Sequence, residues 1–112
     1  MQAFVYGGCL SPRTRPAVLR FKSAKCCGGL VDHLNNFQEY LIQLYSKDDT
    51  VIDQVQCFPL SDLMAAIGVN HVDYLTLDVH GAEIPILKSI DFHELRIDLM
   101  TIECAENCYE MV

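Results

Sequence analysis

The chain is short of positive charge. Its 112 residues hold 8 Lys and Arg against 15 Asp and Glu, a net charge of −7. A nucleic-acid surface needs clustered cations, so that class of partner is excluded. The few basic residues gather early, at Arg13, Arg15, Arg20, Lys22 and Lys25, as a local strip rather than a binding footprint. No apolar run approaches the roughly 20 residues that span a bilayer, so no membrane segment is expected in this chain. The opening MQAFVYGGCLSPRTRPAV lacks the charged-then-apolar layout of a signal peptide. There is no Asn-x-Ser/Thr site, which mildly disfavours the secretory route. Phosphate-binding loops are missing too, because Gly7-Gly8 and Gly28-Gly29 lack the G-x-G-x-x-G or G-K-[ST] context. No G-x-S-x-G elbow occurs, and His33, His71 and His93 stand at no motif spacing from a Cys or Ser.

Cysteine is plentiful, but no Cys-x-x-Cys pair exists, so zinc spacing is absent. The six are Cys9, Cys26, Cys27, Cys57, Cys104 and Cys108. Buried free thiols are the favoured reading, with one or two disulfides in an oxidising lumen as the alternative. Apolar residues make up 51% of the chain, which excludes a disordered tail. The length suits one domain with a modest core.

Residues 3–6 (AFVY) read as a strand stopped by Gly7-Gly8. Pro12 and Pro16 hold the next stretch extended. Val18 to Phe21 reads as a short strand, closed by Cys26-Cys27-Gly28-Gly29. The segment FQEYLIQLY (37–45) suits a helix by the spacing of Phe37, Tyr40, Leu41, Leu44 and Tyr45, and a strand by its aromatic and β-branched content. After residue 50 the pattern sharpens. A strand lies within Val51 to Phe58. A helix opens at Pro59 or Ser61, with Leu60, Leu63, Met64 and Ile67 as its apolar stripe and Gly68 as its stop. Val72 to Leu77 is a strand, Ile84 to Ile90 a helix and Leu99 to Ile102 a strand. Pro85 sits in the first turn of its helix, where a missing donor costs little. This alternation is that of βαβ units on a parallel sheet, whose ligands lie beyond the carboxyl ends of the strands.

Asp78 and Glu103 stand at two such ends. Asp78 could instead cap the following helix, and Glu83 could favour its macrodipole. His80, on the same side as Asp78 in an extended turn, could join it in binding a metal or shuttling a proton, against the plainer reading of a surface histidine. Gly81 implies that something presses on the backbone there, either the packed helix or a ligand.

The stretch VDYLTLDVHGAEIPILKSIDF resembles the signature of FkbM-type methyltransferases, a strand of the form hDhhphDhEGhE (h apolar, p polar) followed by an apolar residue and Leu. The similarity runs upstream to VQCFPLSDLMAAIGV and downstream to LMTIE; CLSP (9–12) and GGLV (28–31) resemble an animal, Star-like branch of the family. The resemblance implies an α/β fold: a partial Rossmann-like methyltransferase fold, with a mostly parallel sheet, flanking helices and the first βαβ unit missing. The chain is then the carboxyl-terminal portion of an FkbM-type domain, matched well over 51–104 and thinly over 1–50. A strand edge that the missing unit would pair should be left exposed.

The family uses S-adenosylmethionine, mostly for transfer of a methyl group to a hydroxyl oxygen. By resemblance Asp78, His80 and Glu83 are the catalytic candidates, and Phe58, Asp78 and Glu103 the cofactor-binding ones, Phe58 by stacking on the adenine. No metal is expected. Two departures stand out. The family carries Glu where this chain has His80, which exchanges a permanent base for one titrating near neutrality or marks lost catalysis. The glycine-rich turn and ribose-binding acid are missing, so the chain alone should be inactive. The partners implied are a small-molecule or glycan hydroxyl acceptor for an enzyme. For a non-catalytic Star-like module they are a membrane-anchored protein cargo in the endomembrane lumen. An enzyme outside that branch would be cytoplasmic.

Overall fold

A computed structural model describes residues 3–25 and 27–103. Six strands and three helices alternate along it: β1 (Cys9–Leu10), β2 (Ala17–Ser23), β3 (Gly29–Leu30), α1 (Asn36–Tyr45), β4 (Val51–Phe58), α2 (Leu60–Ala66), β5 (His71–Leu77), α3 (Glu83–Ser89) and β6 (Arg96–Ile102), with a single 3-10 turn at Val31–His33.

The second half forms as its periodicity dictates. In α2, Leu60 is buried and Met64 packs beside it against Ile90, Leu95 and Val72. The helix stops where Gly68 takes a φ of +75°, a backbone conformation that is strained for side chains other than glycine. The main-chain amides of Gly68 and Val69 then close back on the carbonyls of Ala65 and Met64. β5 and β6 pair in parallel from His71↔Arg96 to Leu77↔Ile102, with α3 as the crossover. The parallel βαβ expectation therefore holds for this unit.

It does not hold for the rest. A four-stranded sheet, ordered β1-β4-β2-β3, is mixed. β2 runs antiparallel to both β4, from Ala17↔Cys57 to Ser23↔Val51, and β3. Only the two-residue β1 pairs with β4 in parallel. The expected mostly parallel sheet is thus corrected to one mixed four-stranded sheet beside a parallel pair. The physical reason is β2: seven extended residues pair along nearly the whole length of β4, a long antiparallel ladder that local periodicity cannot reveal. β5 pairs with β6 alone among the described residues.

Residues 3–6 are not a strand; Phe4 and Val5 are exposed, Val5 at 96%. The ambiguous 37–45 segment is a helix because Asn35 caps it. The Asn35 side chain accepts from the Gln38 amide, and Gln38 in turn accepts from the Asn35 amide. Its buried face is Gln38 and Ile42, while Phe37, Tyr40, Leu44 and Tyr45 lie exposed.

The main core gathers Leu30, Cys57, Leu77, Ala82 and Ile86, so both sheets and α3 share it. Cys9 and Cys57 stand opposite one another in register, 4.5 Å apart at Cα, and form a disulfide. Cys27 is disulfide-bonded as well. Buried free thiols are therefore wrong for the described cysteines: strand pairing brings Cys9 and Cys57 together from 48 residues apart. Cys26, Cys104 and Cys108 lie outside the described residues.

Removing that crosslink should cost much stability. By loop-closure entropy a 48-residue separation is worth about 4 kcal/mol. Chemical denaturation of the oxidised protein against Cys9→Ala/Cys57→Ala measures this. A loss under about 1 kcal/mol would mean that the crosslink does not constrain the unfolded chain.

Candidate functional site

At the carboxyl end of β5 the chain makes a tight reversal, Asp78-Val79-His80-Gly81-Ala82, before α3 begins. Gly81 has a φ of +114°, and a Cβ there would collide with the His33 carbonyl. The crowding comes from the 3-10 turn and α1 rather than from the helix that follows. His80 is also left-handed, with a φ of 53°. That conformation is uncommon outside glycine, although His adopts it more readily than most residues.

Glu83 holds this reversal. It is 8% exposed, and its two carboxylate oxygens accept from the amides of Val79 and Gly81, each at 2.9 Å. The side chain that sequence reading placed among the catalytic candidates is thus turned into the loop. Asp78 does not cap α3: the N-cap position is Ala82, with no side-chain bond.

Instead Asp78 meets two other groups. The Nδ1 of His80 lies 2.8 Å from the Gly28 carbonyl, which only accepts, so Nδ1 carries the hydrogen. The other ring nitrogen, Nε2, then faces Oδ1 of Asp78 at 3.3 Å and Oε2 of Glu103 at 3.9 Å. Glu103 is brought alongside by the β5–β6 ladder, its amide bonding the Leu77 carbonyl at 3.0 Å. The three donor atoms lie within 4.8 Å of one another, a spacing that suits a shared proton or a cation. A side-chain hydrogen bond with Asp78 raises the Glu103 carboxyl above the ordinary carboxylate range, and desolvation and the Asp78 charge push the same way. Acceptors at this spacing favour a proton retained on Glu103.

Asp78 and His80 border a cavity of about 310 Å³ whose remaining wall is mostly apolar: Leu10, Phe21, Leu30, Val79 and Ile86, with Cys9 and the backbone of Gly8 and Gly28. Glu103 reaches this wall through His80, and Glu83 through the amides of Val79 and Gly81. Phe58 is not in the wall; its ring packs edge-on against Tyr6 at 6.0 Å. Of the candidates, the structure therefore unites Asp78, His80 and Glu103 and leaves Phe58 apart. Sequence reasoning missed the wall supplied by residues 8–30. The signal was there in the two Gly-Gly turns, which were set aside for want of a phosphate-loop pattern.

A second group, His71, Asp73 and Asp98, lies where β5 and β6 begin. His71 Nε2 approaches Asp98 Oδ2 at 2.7 Å, and Arg96 Nε donates to Asp98 Oδ1 at 2.9 Å. These bonds, the one to His71 foremost, hold the Asp98 carboxyl below its usual range. The group borders no cavity described above.

A family model, the methyltransferase FkbM domain, matches residues 24–111, most of the chain. No curated protein and no solved structure matches.

Two outcomes test the arrangement. Glu83→Ala leaves two loop amides without their acceptors and should cost about 2–4 kcal/mol in urea unfolding, and Glu83→Gln less, because one oxygen remains. For Glu103, a folded pKa above the unfolded one means that its stabilising share is present in acid and lost as pH rises through the raised value. Thermal melts from about pH 4 to about pH 8 should show Glu103→Gln gaining on the parent as pH rises; parallel curves would refute the shared proton.

Proposed function

The chain belongs to the FkbM methyltransferase domain family, and from that premise we propose that the Asp78–His80–Glu103 cluster serves transfer of a methyl group from S-adenosylmethionine to a hydroxyl oxygen. The observation that carries this reading is the convergence of the three side chains at the ends of two parallel strands, beside an apolar cavity. Ligands of parallel sheets lie there.

The residues suit the cofactor. A sulfonium is a cation with apolar surroundings, and here the Asp78 carboxylate borders a largely hydrocarbon wall, with a Glu103 oxygen within 4.8 Å of that carboxylate. The cavity, about 310 Å³, is at the small end for a ligand pocket. When bound, S-adenosylmethionine supplies an activated methyl group. This chain's own residues would supply orientation, exclusion of water and a proton acceptor. His80 Nε2, fixed by the Gly28 carbonyl, would take the proton of the accepting hydroxyl, with Asp78 and Glu103 sharing the resulting charge. Glu83 would be a positioning residue that holds Val79 and Gly81 in place. Where relatives carry Glu at position 80, this chain would use an imidazole backed by carboxylates.

A second reading has one observation in its favour. The Cys9–Cys57 disulfide suits an oxidising compartment, and so a non-catalytic Star-like module that handles membrane-anchored cargo. No helix among the described residues is long and apolar enough to cross a membrane. The exposed Phe37, Tyr40, Leu44 and Tyr45 would then face a partner.

Calorimetric titration with S-adenosylmethionine separates the two. The enzymatic reading expects saturable heat and an affinity at least about tenfold weaker in Asp78→Asn, with stability changed by less than about 1 kcal/mol because Asp78 caps nothing. Absence of binding to the parent chain would sink cofactor binding by these residues on their own and favour the module.

A further inference from the structure

The early basic strip divides in the folded chain. Arg20 pairs with Asp32 at 3.1 Å, Lys22 with Glu39 at 3.2 Å and Lys25 with Asp49 at 3.3 Å. Arg13 has no ion-pair partner among the described residues. Neither has Lys88, on the outward side of α3. These two cations, distant in sequence, border one cavity of about 280 Å³, with Thr14 beside Arg13 and Pro12, Ile84 and Pro85 as its apolar part.

The loop that carries Arg13 is built in place. Ser11, fully buried, accepts from the Arg13 amide at 3.1 Å and donates to the Arg15 carbonyl at 2.8 Å. Its own carbonyl lies 3.3 Å from the hydroxyl of Ser89, on the same helix as Lys88, although that hydroxyl's shorter contact is with the Ile86 carbonyl at 2.6 Å. The loop and the end of α3 are therefore in contact, and the two charges line one cavity. In a chain of net charge −7, every other cation of the strip except Arg15 has found a carboxylate. Two like charges kept together without an acid between them repel, and a bound anion relieves that repulsion.

We infer that Arg13, Thr14 and Lys88 form a binding site for a phosphate or sulfate ester. The guanidinium can give a paired bond to two oxygens of a tetrahedral oxyanion, the ammonium a point charge and the Thr14 hydroxyl a further donor. The cavity holds more than an inorganic anion, and Ile84 and Pro85 offer an apolar surface to the organic group that carries the ester. This site is independent of the methyl-transfer reading, since none of its residues borders the cavity next to Asp78.

The test is an amide-resolved NMR titration of the full chain with inorganic phosphate, sulfate, phenyl phosphate and acetate at low salt. Shifts should centre on residues 12–14 and 84–89, with phenyl phosphate binding more tightly than inorganic phosphate and acetate most weakly. Arg13→Gln and Lys88→Gln should each weaken phenyl phosphate about tenfold, the loss of one charge-assisted contact. Arg13→Lys, which keeps charge but loses the fork, should fall between. Lys25→Gln makes the same change in net charge at a neutralised position and should leave affinity alone. Equal weakening by Lys25→Gln, shifts scattered over all basic residues, or no shifts in a chain whose melt is unchanged would each overturn the proposal.

Discussion

The carboxylate of Glu83 is the contact on which the site depends. It spans the amides of Val79 and Gly81 and thereby satisfies two donors in a reversal too tight to pair with a strand or a helix. With those donors tied, His80 can sit in a left-handed conformation and reach the Gly28 carbonyl. That bond decides which ring nitrogen is left to face Asp78 and Glu103. A single buried acid of the second half thus sets the geometry of three exposed or half-buried groups and joins them to the glycine turn of the first half.

The cluster itself is a balance of like and unlike charges. Parallel pairing forces Asp78 and Glu103 together, because both follow the last paired residues, Leu77 and Ile102. Two carboxylates at that spacing favour a retained proton, as the raised Glu103 carboxyl reflects. The imidazole lies close enough to lend or take that proton. The anchoring of His80 to Gly28 gives it a defined orientation rather than that of a loose surface side chain.

How much of this was legible from residues alone depended on the range of the interaction. The stripe's Leu60 and Met64, the stop at Gly68 and the strands to either side are local patterns, and the structure follows them, while Ile67 falls just past the helix and lies exposed. The Asp78–Glu103 meeting was also legible, because a βαβ unit leaves few ways to place its strand ends. The direction of β2 was not, since antiparallel and parallel partners share the same alternation. The cap at Asn35 and Gln38 was legible and overlooked. It would have resolved the helix over 37–45, whose aromatic residues then proved to face outward. For Glu83, position suggested a favourable place at the helix dipole and resemblance suggested chemistry; burial and two amide bonds, which neither could show, make it a brace of the loop. The disulfide partner of Cys9 depended on strand register, and the wall of the cavity on contacts across 50 residues and more.

The covalent link between β1 and β4 has one more consequence. Every residue from Leu10 to Gln56 lies inside a closed ring of chain. A protease that nicks the exposed loop after β1, or the turn before β4, would open that ring without parting the two pieces. The cut molecule would migrate as a single species until a reductant reached a sulfur pair whose Cys57 half is wholly shielded from water.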